Sequence, residues 1–151
     1  MPAHTWSLRL TRLLLAKFIL MLAACTSVTV TPLDPALGVD HVCILRNKKV
    51  IVDDFLAVLR VGLGRNGISS TVYSGERPAD CDYLLSYSAL RSWDFAPYLS
   101  QAEIWITKDG RQVAHAEYHL VWKGGFSLMK WQGTETKMAP VIDEMVGRKM
   151  P

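Results

Sequence analysis

The residues best suited to bind a metal ion are two histidines and a glutamate in one short stretch of the chain. His115, Glu117 and His119 would share one face of a β-strand, and imidazole and carboxylate groups are common ligands of zinc. Residues four apart on a strand are about 13 Å apart, however, so His115 and His119 cannot bind the same ion. The spacing also differs from the helical His-Glu-x-x-His motif. We therefore predict the solvent-facing side of a hairpin strand, with no metal and no other cofactor.

The chain carries none of the patterns typical of nucleophilic catalysis or nucleotide binding. It has no Gly-x-Ser-x-Gly motif, no Walker loop and no dinucleotide-binding glycine motif. Gly62 and Gly64 fall inside a predicted helix, and the pair Asp53 and Asp54 is typical of a solvated helix face. We expect a protein that is not an enzyme, and a hydrolase with an unfamiliar site is a less favoured alternative.

The first 24 residues are organised like a secretory signal peptide. Their only charged side chains are Arg9, Arg12 and Lys17, and an apolar run over 18–24 follows that ends in two alanines. This run is too short for a transmembrane helix, which needs about 20 apolar residues. The pattern predicts that residues 1–24 are a signal peptide.

The cysteine that follows this segment changes its interpretation. Leu22-Ala23-Ala24-Cys25 resembles the lipobox of bacterial lipoproteins. The resemblance implies that diacylglycerol is attached to the Cys25 thiol, that the chain is cleaved before Cys25, and that the new amino group is acylated, for example by palmitate. Stable anchoring takes two lipid chains, so this modification would hold the protein on a membrane. Thr26, in place of the aspartate that signals inner-membrane retention, implies the outer membrane, on its periplasmic face.

Cleavage before Cys25 would remove three of the 17 basic residues and none of the 14 acidic ones, which lowers the formal net charge from +3 to zero. A neutral chain gives no reason to expect a nucleic-acid partner. The remaining cysteines, Cys43 and Cys81, are predicted to form a disulfide, because the envelope is oxidising and their number is even. Two separate buried thiols are the alternative.

Hydrophobic periodicity divides the rest of the chain into elements. Residues 25–40, with Pro32 and Pro35, are interpreted as a tether, and 41–151 as a single domain. A helix with Asn47 as its N-cap is expected to end at Asn66-Gly67-Ile68. Its apolar stripe consists of Val52, Phe55, Leu56, Leu59 and Leu63.

Strands are predicted at 41–45, 69–73 and 81–90, and the last is apolar on both faces, which favours a central place in the sheet. A hairpin is predicted over 101–122, with a three-residue loop at 108–110 that sets Ile104 opposite Ala114 and Glu103 opposite His115. A final helix is predicted over 138–146, with Pro140 in its first turn. The order β-α-β-β-β-β-α predicts an α+β fold, a small and mostly antiparallel sheet with helices on one face.

Two aromatic segments are candidates for partner contact. Residues 91–99 join two strands and combine Arg91 with Trp93, Phe95 and Tyr98. The favoured interpretation is a buried crossover in which Trp93 and Phe95 fill the core and Arg91 pairs with Asp94. The second segment could contact a membrane or a partner, although a cap over the open end of the core is favoured. It contains Phe126, Leu128, Met129 and Trp131, beside Lys123 and Lys130.

The same stretches resemble a family of small uncharacterised proteobacterial lipoproteins. The lipobox, HVCI at 41–44, VIVDDF at 50–55, YSG at 73–75 and ALRSWDFAPYLSQAEI at 89–104 carry this resemblance. It implies a lipoprotein and no particular activity. We therefore expect an envelope module that binds an envelope protein or assembles into a larger structure. The alternative is a periplasmic lipoprotein that binds a small ligand or a lipid.

Overall fold

A computed structural model describes residues 26–121 and 128–147 of the chain. This part contains two α-helices, α1 (Phe55–Arg65) and α2 (Thr134–Val146), and two short 3-10 helices, Pro35–Leu37 and Leu128–Trp131. The strands are β1 (Thr26–Thr31), β2 (His41–Leu45), β3 (Ser69–Tyr73), β4 (Tyr83–Asp94), β5 (Ala96–Lys108) and β6 (Arg111–Leu120). Neither α1 nor α2 is long and apolar enough to cross a membrane.

The strands form one six-stranded sheet in the order β1-β6-β5-β4-β2-β3. Neighbours from β1 to β4 run antiparallel, whereas β2 is parallel to both β4 and β3. The predicted α+β fold with a mostly antiparallel sheet is confirmed. The apolar face of the sheet packs in a single core with the two helices, where Phe55 of α1 stacks on Tyr87 of β4 with ring centroids 5.5 Å apart.

The interpretation of residues 26–40 as a tether is wrong, because the chain enters the sheet at once. Thr26–Thr31 pairs along its whole length with β6, from Thr26 opposite Leu120 to Thr31 opposite His115. The sequence TSVTVT is rich in β-branched residues, which favour extended backbone. After β1, the backbone N–H of Leu33 donates to the carbonyl of Met145 (2.7 Å), and Leu33 and Val39 are buried. Residues 26–40 therefore belong to the domain.

Helix α1 ends as predicted but begins later. Gly67 has a φ of 76°, and the N–H of Ile68 donates to the carbonyl of Leu63 (3.0 Å), which closes the helix against its last turn. Asn47 is not the N-cap, since the helix starts at Phe55. The Asn47 side chain instead donates to the carbonyl of Tyr87 (2.9 Å) and fastens the β2–α1 loop to β4.

The β5–β6 hairpin has a different register from the predicted one. Its turn has two residues, Asp109 and Gly110, with φ values of 49° and 75°, and a register shift follows between Ile106 and Thr107. Two positive φ values are typical of a type I′ turn. As a result Ile104 lies opposite Ala116 rather than Ala114, and Trp105 rather than Glu103 lies opposite His115.

Helix α2 starts at Thr134, so Pro140 lies inside the helix rather than in its first turn. The predicted disulfide is confirmed: Cys43 and Cys81 are bonded, with Cα atoms 5.8 Å apart, and both residues are buried. The bond closes a loop with a sequence separation of 38. A loop of that length implies roughly 4 kcal/mol of stabilisation in the chain-entropy treatment.

Candidate functional site

Residues 91–97 form the tip of the β4–β5 hairpin rather than a buried crossover. The hairpin pairs without interruption from Arg91 opposite Leu99 to Asp94 opposite Ala96, beyond a register shift at Leu90. Trp93 is 72% exposed and Phe95 is 89% exposed. The prediction that these two rings fill the core is therefore wrong, and the chain presents them to solvent.

Phe95 is held in an unusual backbone conformation at the turn itself. Its φ is 59°, in the left-handed region that a bulky side chain rarely adopts. Its ring meets the ring of Trp131 edge to face, with centroids 6.4 Å apart. Backbone strain of this kind often occurs at functional positions.

Asp94 fastens the hairpin tip to the segment before α2. Its carboxylate pairs with the ammonium of Lys130, and its backbone carbonyl accepts a hydrogen bond from the indole N–H of Trp131 (2.8 Å). Lys130 is buried, and its Nζ lies 4.4 Å from the centroid of the Trp131 ring. Asp94 therefore pairs with Lys130 and not with Arg91 as predicted. Lys130 is 36 positions away in the sequence, and no sequence pattern predicts this pair.

Lys137 supports the base of the same hairpin from α2. Its Nζ donates to the carbonyls of Leu99 (2.9 Å) and Lys130 (2.5 Å), and lies 5.5 Å from the ring centroid of Tyr98. Burial lowers the pKa of Lys137 from its ordinary 10.5 to about 8. Lys137 and Lys130 therefore connect two strands, the 3-10 turn and α2 through one buried cluster.

The predicted contact residues fall into three groups. Arg91, Trp93 and Phe95 are exposed, and Trp131 is half-buried beside them. Tyr98 is 4% exposed, so it supports the tip from below and is unsuited to contact a partner. Phe126 lies outside the described residues. We call the set Arg91, Trp93, Phe95 and Trp131 the aromatic tip.

Strand register places the first described residue at the same end of the sheet as the aromatic tip. Thr26 lies opposite Leu120, and the neighbouring His119 lies opposite Gln101, which in turn pairs with Leu90. The hairpin continues four residues beyond Leu90, so the tip projects roughly 13 Å past this level. The N-terminal end of β1 therefore lies at the end of the sheet from which the tip projects.

A cavity of about 320 Å³ opens between the base of the hairpin and the starts of the two helices. Its lining includes Arg91, Trp131, Asp53 and Asp54. The hydroxyl of Thr134 donates to the Asp54 carboxylate (2.8 Å), which ties the start of α2 to the start of α1. A larger cavity, of about 490 Å³, lies at the ends of β2 and β3, beside Arg46, Lys48 and Lys49.

The histidine stretch belongs to strand β6. His115 stacks on Trp105, with centroids 5.9 Å apart, and its Nε2 lies 3.2 Å from a carboxylate oxygen of Glu103. Within residues 26–121 and 128–147, no group of three or more His, Cys, Asp or Glu side chains is arranged to hold a metal ion.

Comparison with known proteins finds likeness in structure only. No protein-family model and no curated protein matches the sequence. The PelC dodecamer from Paraburkholderia phytofirmans has a TM-score of 0.53 at 15% identity, over 79% of this chain and 95% of that one. A PelC variant from the same organism, also a dodecamer, has a TM-score of 0.52 at 14% identity, over 80% and 93%. A minor lipoprotein from Acinetobacter baumannii reaches a TM-score of only 0.30, at 17% identity over 70% and 85%. In its fold, this chain is similar to PelC.

Proposed function

We propose that the protein is a bacterial lipoprotein, anchored through Cys25 to the periplasmic face of the outer membrane, that acts by binding and not by catalysis. Its aromatic tip is a second membrane contact beside the lipid. The proposal includes membership of the small proteobacterial lipoprotein family that the sequence resembles.

The observation that carries this proposal is the position of the aromatic tip relative to Thr26. Both lie at one end of the sheet, and the tip exposes two large rings that a water-soluble surface would normally bury. Tryptophan and other amphipathic rings favour the membrane–water interface, where part of the ring is apolar and part is hydrated. A lipid on Cys25 would bring that interface to the tip.

The support around the tip fits the same role. Asp94, Lys130 and Lys137 hold the hairpin through an ion pair and hydrogen bonds to backbone carbonyls. A tip that is already ordered loses little conformational entropy when it enters an interface. Most of the free energy gained by burying Trp93 and Phe95 in the interface would therefore be available for binding.

Intact mass of the membrane-extracted protein, with and without reductant, tests the anchor. The expected mass is that of residues 25–151 plus acyl chains, lighter by two hydrogens without reductant because of the Cys43–Cys81 bond. A Cys25→Ser variant should lose the acyl mass and leave the membrane fraction. An unmodified wild-type chain in the soluble fraction would contradict the proposal.

Self-assembly is a second candidate function, favoured by one specific finding. Both PelC structures that share this fold are described as dodecamers. Assembly and anchoring are compatible, because an assembly of lipoproteins can sit on one membrane if every copy presents its lipid on the same side. Sedimentation of the detergent-extracted protein separates a monomer from an assembly.

A further inference from the structure

Within the described residues, the sheet ends in two strands, β1 and β3, each with one edge that pairs with no other strand. β1 has the sequence TSVTVT and β3 has SSTVY, and neither contains a charged residue or a proline. Each lies at an end of the strand order and pairs along one side only within the described part of the chain. Soluble proteins usually protect such edges with lysine, proline, bulges or a covering segment, because unpaired backbone groups recruit another strand.

The two edges are complementary in direction. From β1 to β4 every neighbouring pair is antiparallel, and β4, β2 and β3 are mutually parallel. The strand direction reverses three times between β1 and β4 and not at all between β4 and β3, so β3 runs antiparallel to β1. An edge of one copy can therefore meet the other edge of the next copy as an antiparallel pair, and the sheet continues through the junction.

The side chains of the two edges also match across that junction. On β1, Val28 lies opposite the buried Tyr118, which places it on the helix-covered side of the sheet, yet it is 43% exposed. On β3, Ser70 and Val72 are paired with the buried residues Val42 and Ile44 and so lie on the same side. Pairing β1 with the next copy's β3 would cover Val28 with small and β-branched neighbours, which suit cross-strand contact.

We propose that copies of this chain assemble head to tail, β1 of one copy against β3 of the next, into one continuous sheet. This inference rests on the proposed anchor, because the anchor selects this pairing over the symmetric one. An antiparallel pair of two β1 strands would place their first residues at opposite ends of the junction, roughly 20 Å apart for six residues. Two lipids could not then enter one membrane at the same level.

Head-to-tail pairing keeps every β1 in the same direction, so every Thr26 and every aromatic tip faces the same way. An interface of this heterologous kind produces a closed ring when the rotation between copies closes. The anchor and the aromatic tip would then form one face of the ring, directed at the membrane.

Cysteine crosslinking in isolated membranes tests the pairing. Ser70→Cys is combined in turn with Thr26→Cys, Val28→Cys or Val30→Cys, which lie on the same side of the sheet and cover the three closest registers. Within one chain these positions are five strand spacings apart, roughly 24 Å, so an internal bond cannot form. Ser27→Cys with Ser70→Cys is the matched control, because Ser27 faces the other side of β1.

At least one of the three cysteine pairs is expected to give a ladder of crosslinked trimers and larger species on oxidation. The Ser27→Cys control should give less than a tenth of that yield of crosslinked species. Dimers from Val28→Cys alone would show symmetric β1 pairing and overturn the proposal, as would no ladder from any pair. The mass of the same samples is read separately. A ladder from chains without lipid would support the edge pairing and refute the anchor. Lipid on the chains without a ladder would support the anchor and refute the edge pairing.

Discussion

At the scale of single residues, Phe95 is the position where local stability and the proposed role conflict most clearly. Its φ of 59° costs a non-glycine residue about 1–2 kcal/mol. Phe95→Gly removes this cost and removes an exposed ring, so the free energy of unfolding in urea should rise by about 1 kcal/mol while binding to lipid vesicles falls.

Asp109→Gly is the matched control for this variant. Asp109 also has a positive φ, 49°, but it lies in the β5–β6 turn at the other end of β5 from the aromatic tip. Aspartate tolerates the left-handed region better than phenylalanine, so a smaller gain in stability is expected, with vesicle binding unchanged. Equal loss of vesicle binding in both variants would contradict a specific role for Phe95.

Lys137 makes stability depend on pH in a defined window. Its folded pKa is about 8 and its ordinary value is 10.5, so the unfolded chain binds more protons between these values. The free energy of unfolding should therefore rise with pH from about 8 towards 10, relative to a Lys137→Met variant measured in parallel. Burial raises the pKa of Tyr118 to about 12, and its opposite effect starts only near pH 10. A wild-type slope equal to that of the variant between pH 8 and 10 would show that Lys137 is not desolvated.

The disulfide is predictable because the number of cysteines can be counted in the sequence and the signal-peptide pattern predicts an oxidising compartment. The exposure of Trp93 and Phe95 is not, since large aromatic residues are usually buried and only the length of the β4–β5 hairpin carries them outside the core. The ion pair between Lys130 and Asp94 depends on the path of the chain after β6, and no local sequence pattern predicts that path.

At the scale of elements, the contact between α1 and α2 depends on one glycine. A Cβ atom at Gly62 would lie 2.8 Å from Cγ2 of Ile142, closer than packed side chains allow. Gly62→Ala should lower the free energy of unfolding by about 1 kcal/mol, because overpacking outweighs the better helix propensity of alanine.

Gly64→Ala, two residues later in the same helix, is the control. A Cβ there meets no atom within 4 Å. This variant should gain about 0.5–1 kcal/mol in the same urea titration, since only the helix propensity changes. A gain in both variants would mean that the two helices are farther apart than the structure has them.

Elements with strong periodicity were the predictable ones. The stripe that includes Leu59 and Leu63 identified α1, and alternation identified β4 to β6. The sequence does not predict β1, because six residues followed by a proline resemble a linker. It does not predict the β5–β6 register either, because a two-residue turn combined with a register shift leaves the alternation unchanged.

At the scale of the whole molecule, the proposed functions depend on which end and which edges of the sheet carry each feature. The start of β1 and the aromatic tip lie at the same end of the sheet, and the outer edges of β1 and β3 lie to either side. In the proposed function, this end would face the membrane and the two flanks would meet other copies of the chain. The sequence alone could not predict this arrangement, because it depends on the place of β1 beside β6.

The proposed function requires that the aromatic tip contacts the membrane beside the lipid. This contact can be measured by the tryptophan emission of the lipidated protein in vesicles that contain brominated lipids, with Trp93→Phe compared against Trp105→Phe. Trp105 lies in the middle of the sheet, opposite Ser86 and His115, far from the tip. Strong quenching is expected in the wild type, unchanged in Trp105→Phe and reduced in Trp93→Phe, where Trp131 is the tryptophan that remains in the aromatic tip. Equal quenching in the two variants, or none in the wild type, would contradict this membrane contact.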